Sequence, residues 1–278
     1  MSIVELAIVI PAYKGRYLNE TLGSLARQTN QKFHVYIGDD HSPEDLYGII
    51  EPFLDKLKIT YHKFSENMGK NHLTSHWNRS IAMTNKEPWL WLFSDDDLMD
   101  DDCVESFYNT KLLHPNSQLY RFSPTVIDAD GKTVKESQIP AWQTASMLLK
   151  DRLLYKKPLF IVDGIFSREA YEEYGIIDFP AAWCSDDATW ICYGQKHGIV
   201  GITRDDNETC PRIYWRYSGY NISSLNQSSV VNKQKREAVL AYKSWLQKMK
   251  DEGNIQFNVL YLFMWSFWMK AHILKKTD

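Results

Sequence analysis

The sequence lacks a cysteine pair of the CxxC kind. Its four cysteines, Cys103, Cys184, Cys192 and Cys210, stand apart, so no zinc or redox framework is legible in their spacing. A reducing, cytoplasmic setting is the expectation. No run of roughly 18 or more uncharged apolar residues is present, which excludes a clear transmembrane helix. The opening MSIVELAIVIPAYK has no basic n-region and no cleavage site, and Glu5 precedes its apolar run. It reads as a strand rather than a signal peptide. An excess of positive charge is absent too: 32 Lys+Arg stand against 35 Asp+Glu, for a net charge of −3. That excludes wholesale electrostatic binding to nucleic acid. His72 and His76 are four apart on an expected helix, but Leu73-Thr74-Ser75 between them lacks the glutamate of a zinc-protease motif, so solvated or capped histidines are expected. There is no GxSxG elbow, no P-loop and no dinucleotide GxGxxG. No repeat, low-complexity tract or linker interrupts the chain, so one compact domain is expected.

What is present is a chain of 278 residues, 44% hydrophobic and 14% aromatic, with 10 Trp. A chain of this length buries roughly 75% of its unfolded surface and needs no disulfide or structural metal to fold. The aromatics serve either a well-filled core or a polar ligand such as a sugar or nucleotide. Leu6 to Ile10 is a continuous apolar run ended by Pro11, as in a strand buried on both faces. Leu18, Leu22 and Leu25 follow at helical spacing. Phe33, Val35 and Ile37 alternate into Gly38-Asp39-Asp40. A helix from Leu46, a strand over 59–64 and a helix carrying Leu73, Trp77 and Ile81 come next. Trp89 to Phe93 then runs into Ser94-Asp95-Asp96-Asp97. This β-α-β-α-β-α-β order predicts an α/β fold with a mostly parallel sheet flanked by helices. Ligands bind beyond the carboxyl ends of such strands, where both acidic clusters fall. Downstream, Asp128-Ala129-Asp130-Gly131 signals a hairpin, Phe160 to Phe166 a strand, and Ser185-Asp186-Asp187 a helix start. The tail from Val230 to Lys276 reads as two helices separated near Gly253.

Three adjacent carboxylates after a buried strand repel one another unless something compensates. A hard divalent cation does so, binding through one or two carboxylates plus ligand phosphates. Capping of the next helix is the competing reading, since Asp100, Asp101 and Asp102 follow directly. For Asp186-Asp187 the competing reading is likewise helix capping, by Ser185, with a favourable dipole.

The order of the motifs resembles the family 2 glycosyltransferases of the GT-A fold. The resemblance rests on Ile10-Pro11-Ala12-Tyr13, Gly38-Asp39-Asp40-His41-Ser42, Glu66-Asn67-Met68-Gly69, Trp77-Asn78-Arg79-Ser80-Ile81, Ser94-Asp95-Asp96-Asp97 and Asp186-Asp187. It is close over about residues 3–110 and weak over the last 80. It implies a GT-A domain over 1–228, with a nucleotide-sugar half (1–110) and an acceptor half (111–228), and a helical extension over 229–278. Pro11, Ala12 and Tyr13 would line the nucleotide pocket with Asn67 and Gly69, and Asp40 would hydrogen-bond the uracil-like edge while Asp39 makes a turn. Asp95 would hold the ribose region. Asp96 would bind Mn²⁺ or Mg²⁺ on the diphosphate, with Asp97 sharing the metal or orienting a water. Asp187 aligns with the general base of an inverting transfer and Asp186 with its supporting acid. Arg216, in Trp215-Arg216-Tyr217-Ser218-Gly219, would stabilise the departing UDP-like group; Tyr217 stands where relatives often carry His. The loop over 221–229 would fold over the donor or stay a surface loop. Trp183 and Trp190 flank the base, with core packing expected of Trp190.

The implied activity is metal-dependent sugar transfer from a nucleotide-diphosphate sugar to a glycan or lipid-linked glycan, in bacterial surface polysaccharide assembly (capsule, O-antigen). The competing class is a non-catalytic nucleotide- or sugar-binding protein that kept the fold. A glycoside hydrolase would leave the Asp39-Asp40 turn unexplained. The aromatic tail from Phe257 to Lys276 suits core packing, a membrane interface at the inner face of the cytoplasmic membrane, or the seam of a homodimer.

Overall fold

The computed structural model describes residues 4–154, 158–204, 209–219 and 229–272. The 221–228 part of the expected donor loop lies outside the described residues. The strands are β1 (Leu6–Ala12), β2 (Phe33–Asp39), β3 (Ile59–Lys63), β4 (Trp89–Leu92), β5 (Leu98–Met99), β6 (Leu119–Arg121), β7 (Ser123–Ile127), β8 (Thr133–Glu136), β9 (Trp142–Gln143), β10 (Gly164–Ser167), β11 (Ile199–Gly201) and β12 (Arg212–Arg216). The helices are α1 (Leu18–Ala26), α2 (Leu46–Ile50), α3 (Leu73–Ile81), α4 (Cys103–Leu113), α5 (Ala145–Leu153), α6 (Arg168–Tyr174), α7 (Ser185–Tyr193), α8 (Ser229–Asp251) and α9 (Val259–His272).

An eight-stranded sheet runs β3-β2-β1-β4-β10-β6-β11-β9, and a four-stranded sheet runs β5-β12-β7-β8. β3, β2, β1 and β4 are mutually parallel. Their carboxyl ends therefore fall on one edge, and that edge carries Asp39-Asp40 and Asp95 to Asp97. β10 is antiparallel to β4 and β6, which makes the sheet mixed beyond β4 rather than parallel throughout.

β1 is buried along almost its whole length, as its unbroken apolar run requires. It extends one residue past Pro11, where the sequence suggested a stop. Pairing with β4 ends at Val9, so Pro11 turns its missing N–H toward an edge that is already open. The expected strand over 160–166 is instead a 3₁₀ turn at Ile161–Asp163 leading into β10.

Two apolar cores lie on the sheet's two faces. One collects α1, α2 and α4 side chains such as Leu22, Ile50 and Phe107. The other collects Phe166, Trp190 and Tyr193 with Tyr242, Leu246, Leu262, Trp265 and Met269 of α8 and α9. The C-terminal helices thus share the main core and are not an appendage to it.

Candidate active site

A cavity of about 680 Å³ opens at the carboxyl ends of β1, β2 and β4. It takes side chains from the first half of the chain, including Pro11, Tyr13, Asp40, Asn67, Gly69, Asp95, Asp96 and Asp97. Asp186, Asp187, Trp183 and Trp215 join them from the second half. Its size suits a nucleotide sugar. Ala12 is buried at the strand end and lies behind the wall rather than on it.

The β4 end shows how a chain tolerates three neighbouring acids. Asp95 Oδ2 accepts the backbone N–H groups of Tyr13 (2.8 Å) and Lys14 (2.9 Å), which pins the β1 loop to the β4 loop. Asp97 Oδ1 accepts the N–H of Arg216 at 2.8 Å. Asp96 takes the Ser94 hydroxyl. Burial raises all three carboxyls: Asp95 to about 6, helped by Asp96, and Asp97 well above the usual range. Such repulsion is what a divalent charge beside them relieves. Among the described residues no group of three or more His, Cys, Asp or Glu side chains forms a metal cage. A cation at this strand end would be held through one or two carboxylates and completed by ligand phosphates. Asp96 is the carboxylate least committed to the backbone.

The β2 end is organised around Asp40. Its carboxylate accepts the N–H groups of Met68 and Gly69, both at 2.8 Å, and the Arg79 guanidinium. A Cβ on residue 69 would lie 2.7 Å from Asp40 Oδ2, so only glycine lets this loop close. Asp39 points elsewhere, accepting Ser42 N–H and the Tyr61 hydroxyl, which is the turn role expected of it.

His76 corrects an expectation. It is buried on the cavity wall, not solvated, while His72 is exposed. Its Nδ1 accepts from Arg79 Nε, which leaves the ring proton on Nε2, and Nε2 is buried with no partner among the described residues. Burial lowers the imidazole to about 4 despite nearby Asp40, so the ring is neutral.

At the end of the cavity formed by the second half of the chain, α7 begins under strain. Ala181, Ala182 and Cys184 all have positive φ, near +56°, +52° and +67°. Non-glycine residues in this region cost roughly 1 kcal/mol or more each, and such strain gathers at functional sites. Ser185 does not cap the helix; its hydroxyl accepts Phe179 N–H instead. Asp187 is gripped by Arg152 of α5 in a two-bond ion pair, Nε–Oδ1 2.6 Å and Nη2–Oδ2 3.2 Å. Asp186 is half-buried, and burial together with the charge of Asp187 raises its carboxyl to about 7. Aromatic faces complete this end. Phe160 and Trp215 stack at 4.3 Å and 7°, and Trp183, Trp77 and Trp265 share the wall. Trp190 is core, as expected.

Arg216 is the second correction. The structure does not place it on the cavity wall. Its guanidinium is buried, donating to the carbonyls of Asp96 (2.9 Å) and Ala129 (3.2 Å) and to Glu20 (2.7 Å), over the ring of Tyr17. Neighbouring strand residues face opposite ways, and it is Trp215 that reaches the cavity. Arg216 braces the acidic loop from behind. Arg152 and the Phe160–Trp215 stack are absent from the sequence analysis, and His76 enters it only as half of a rejected zinc pair. Strand alternation at 215–216 was the one available signal, whereas Arg152 sits in α5 with no motif around it.

Comparisons with known proteins bear on the fold and the family. A validoxylamine A glucosyltransferase of Streptomyces hygroscopicus subsp. jinggangensis (strain 5008) is 39% identical over 67 residues, which is 23% of this chain. The chain spans only 16% of that relative's length in the match. The crystal structure of S. aureus TarS 1–349 in complex with UDP-GlcNAc is similar with a TM-score of 0.64 and 19% identity, over 84% of this chain and 64% of that one. GalNAc-T7 with UDP, GalNAc and Mn²⁺ is similar at 0.60 and 13% identity, over 98% of this chain and 58% of that one. At these identities the structures show a shared fold. The family model for glycosyl transferase family 2 matches residues 7–175, more than half of the 278, and the chain belongs to that family.

Proposed function

We propose that the protein transfers a sugar from a UDP-sugar to an acceptor hydroxyl with inversion, aided by Mn²⁺ or Mg²⁺, in surface-glycan assembly. The observation that carries this is one cavity lined both by the acids at the β4 end and by the Asp186–Asp187 pair. Complexes of relatives with UDP-GlcNAc, and with UDP and Mn²⁺, support the donor and the cation. Tyr13, Asn67, Gly69 and Asp40 receive the base, with the buried, unpartnered His76 Nε2–H on the same wall. Asp95 takes the ribose. Asp96, with Asp97 beside it, would hold the cation, which supplies positive charge to the leaving diphosphate.

The two α7 acids divide the work because their surroundings differ. Asp187 is held by the Arg152 guanidinium in the two-bond ion pair. Its oxygens carry about four lone-pair sites and Arg152 takes two, so about two remain, one of them for the acceptor hydroxyl. Asp187 accepts that hydroxyl's proton as the new glycosidic bond forms and the bond to diphosphate breaks. Asp186, which holds its proton to about 7, donates a hydrogen bond to sugar. Phe160, Trp183 and Trp215 offer flat faces to the acceptor. The test is incubation with a panel of UDP-sugars and Mn²⁺ while following UDP release. One sugar released well above the others, and lost in Asp187→Asn once an acceptor is present, is expected. No release from any UDP-sugar would overturn the reading in favour of a binding protein.

A further inference from the structure

Helix α9 carries two apolar stripes. Leu262, Trp265, Ser266 and Met269 are buried against the body. Leu260, Phe263, Met264 and Phe267 have the same i, i+3, i+4, i+7 spacing but are 56%, 69%, 50% and 70% exposed. The stripes are two residues out of phase, about 200° of helix rotation, so they occupy opposite faces. A surface helix normally shows one apolar face and one polar face, and apolar residues all round call for a second apolar medium.

Two further observations say what that medium is. The inner stripe is continuous with the active site: Trp265 and Met269 line the same cavity as Asp186 and Asp187. The outer stripe therefore lies on a helix that also walls the acceptor end. The stretch of sequence that carries it has charge of one sign. Between Glu252 and Asp278 the sequence has no acid, but it has Lys270, Lys275 and Lys276. Exposed aromatic and aliphatic side chains in a segment whose charges are lysines suit an anionic lipid surface, whose headgroups attract the amines while the rings enter the acyl boundary. A second copy of this basic segment would meet it with like charge. Among the described residues no helix is long and apolar enough to cross a membrane, so contact would be in the interface plane.

We propose that α9 docks its Leu260–Phe263–Met264–Phe267 face on an anionic lipid bilayer and holds the acceptor end of the cavity at that surface. The consequence for the acceptor, a glycan anchored in the same bilayer, rests on the transferase reading; the docking itself does not.

The test is sedimentation of the full chain with phosphatidylcholine vesicles, with and without phosphatidylglycerol. The wild type should pellet with the anionic vesicles and be released by raised salt. Phe263→Glu/Phe267→Glu should weaken that partitioning roughly tenfold or more. Both side chains point into solvent, so the variant should keep the wild-type melting temperature without vesicles. Leu260→Gln/Met264→Gln serves as a second, milder variant if the first misfolds. Wild-type protein left in the supernatant, or equal pelleting of wild type and folded variants, would overturn the proposal. So would a dimer, seen by light scattering, that the variants make monomeric without any vesicle binding. UDP-induced thermal stabilisation is read alongside, so failure of the donor reading and failure of the docking are separately visible.

Discussion

Asp187 and Asp186 are adjacent in the chain yet meet opposite surroundings, because neighbouring helix positions point about 100° apart. Arg152 pairs with one and leaves the other facing the cavity. Asp187→Asn keeps the shape but cannot take the proton; turnover should fall roughly 10²- to 10⁴-fold with UDP affinity unchanged, measured by steady-state kinetics and titration. Asp186→Asn should cost less. Equal losses from the two changes would contradict the division of roles. Removing Arg152 leaves a buried carboxylate without its counter-charge, so Arg152→Gln should cost about 3–5 kcal/mol of stability, read from denaturant unfolding. The Asp186 carboxyl also makes a pH prediction. Its value is about 7 folded against 3.8 for the free side chain, so between these the folded state holds more protons than the unfolded one. Its contribution to stability is therefore full below about 4 and lost as pH rises through 7. Asp186→Asn should melt progressively higher than wild type across that window and hold a constant advantage above it. A constant difference at all pH values would contradict the assignment.

At the scale of elements, the site is a set of strand ends tied to one another by carboxylates. Asp95 ties β4 to the β1 loop, and Asp40 ties β2 to the 66–69 loop. Gly69→Ala places a Cβ against Asp40 Oδ2, so the loop must retreat. UDP binding should weaken by about 1–3 kcal/mol while melting changes little, checked by titration calorimetry and thermal melting. Unchanged affinity would mean the loop does not touch the nucleotide. These elements were readable from the sequence because their signals are local. The apolar run of β1, the alternation of β2 and the Asp128–Gly131 turn each fix structure within a few residues. The β7–β8 hairpin and the break at Gly253, where φ is +76°, appear where the pattern placed them. What the sequence hid depends on distant partners. Arg152 acquires its role from an acid 35 positions away, and Arg216 loses its expected one to Glu20 and to the carbonyl of Asp96. The region around 160–166 was misread as a strand because an apolar run does not distinguish a 3₁₀ turn feeding a short strand from one longer strand.

At the scale of the whole molecule, the C-terminal helices are structural as well as peripheral. Leu262, Trp265 and Met269 complete the core that holds Trp190 and Tyr242. A chain cut after Glu252 should therefore lose cooperative unfolding, as read by circular dichroism, rather than merely lose surface affinity. A sharp, wild-type transition in the truncated chain would show that the inner stripe is not core. The same helix faces the cavity, so core, cavity wall and proposed bilayer contact are three sides of one element. The account as a whole rests on a nucleotide diphosphate held through a cation at the β4 end. Its most direct test is calorimetric titration of UDP in Mn²⁺ and in EDTA, for wild type and Asp96→Ala. The account predicts binding in Mn²⁺ that falls at least about tenfold, or 1.4 kcal/mol, on chelation or in the variant, with the fold intact. Equal UDP affinity in all four combinations would contradict it.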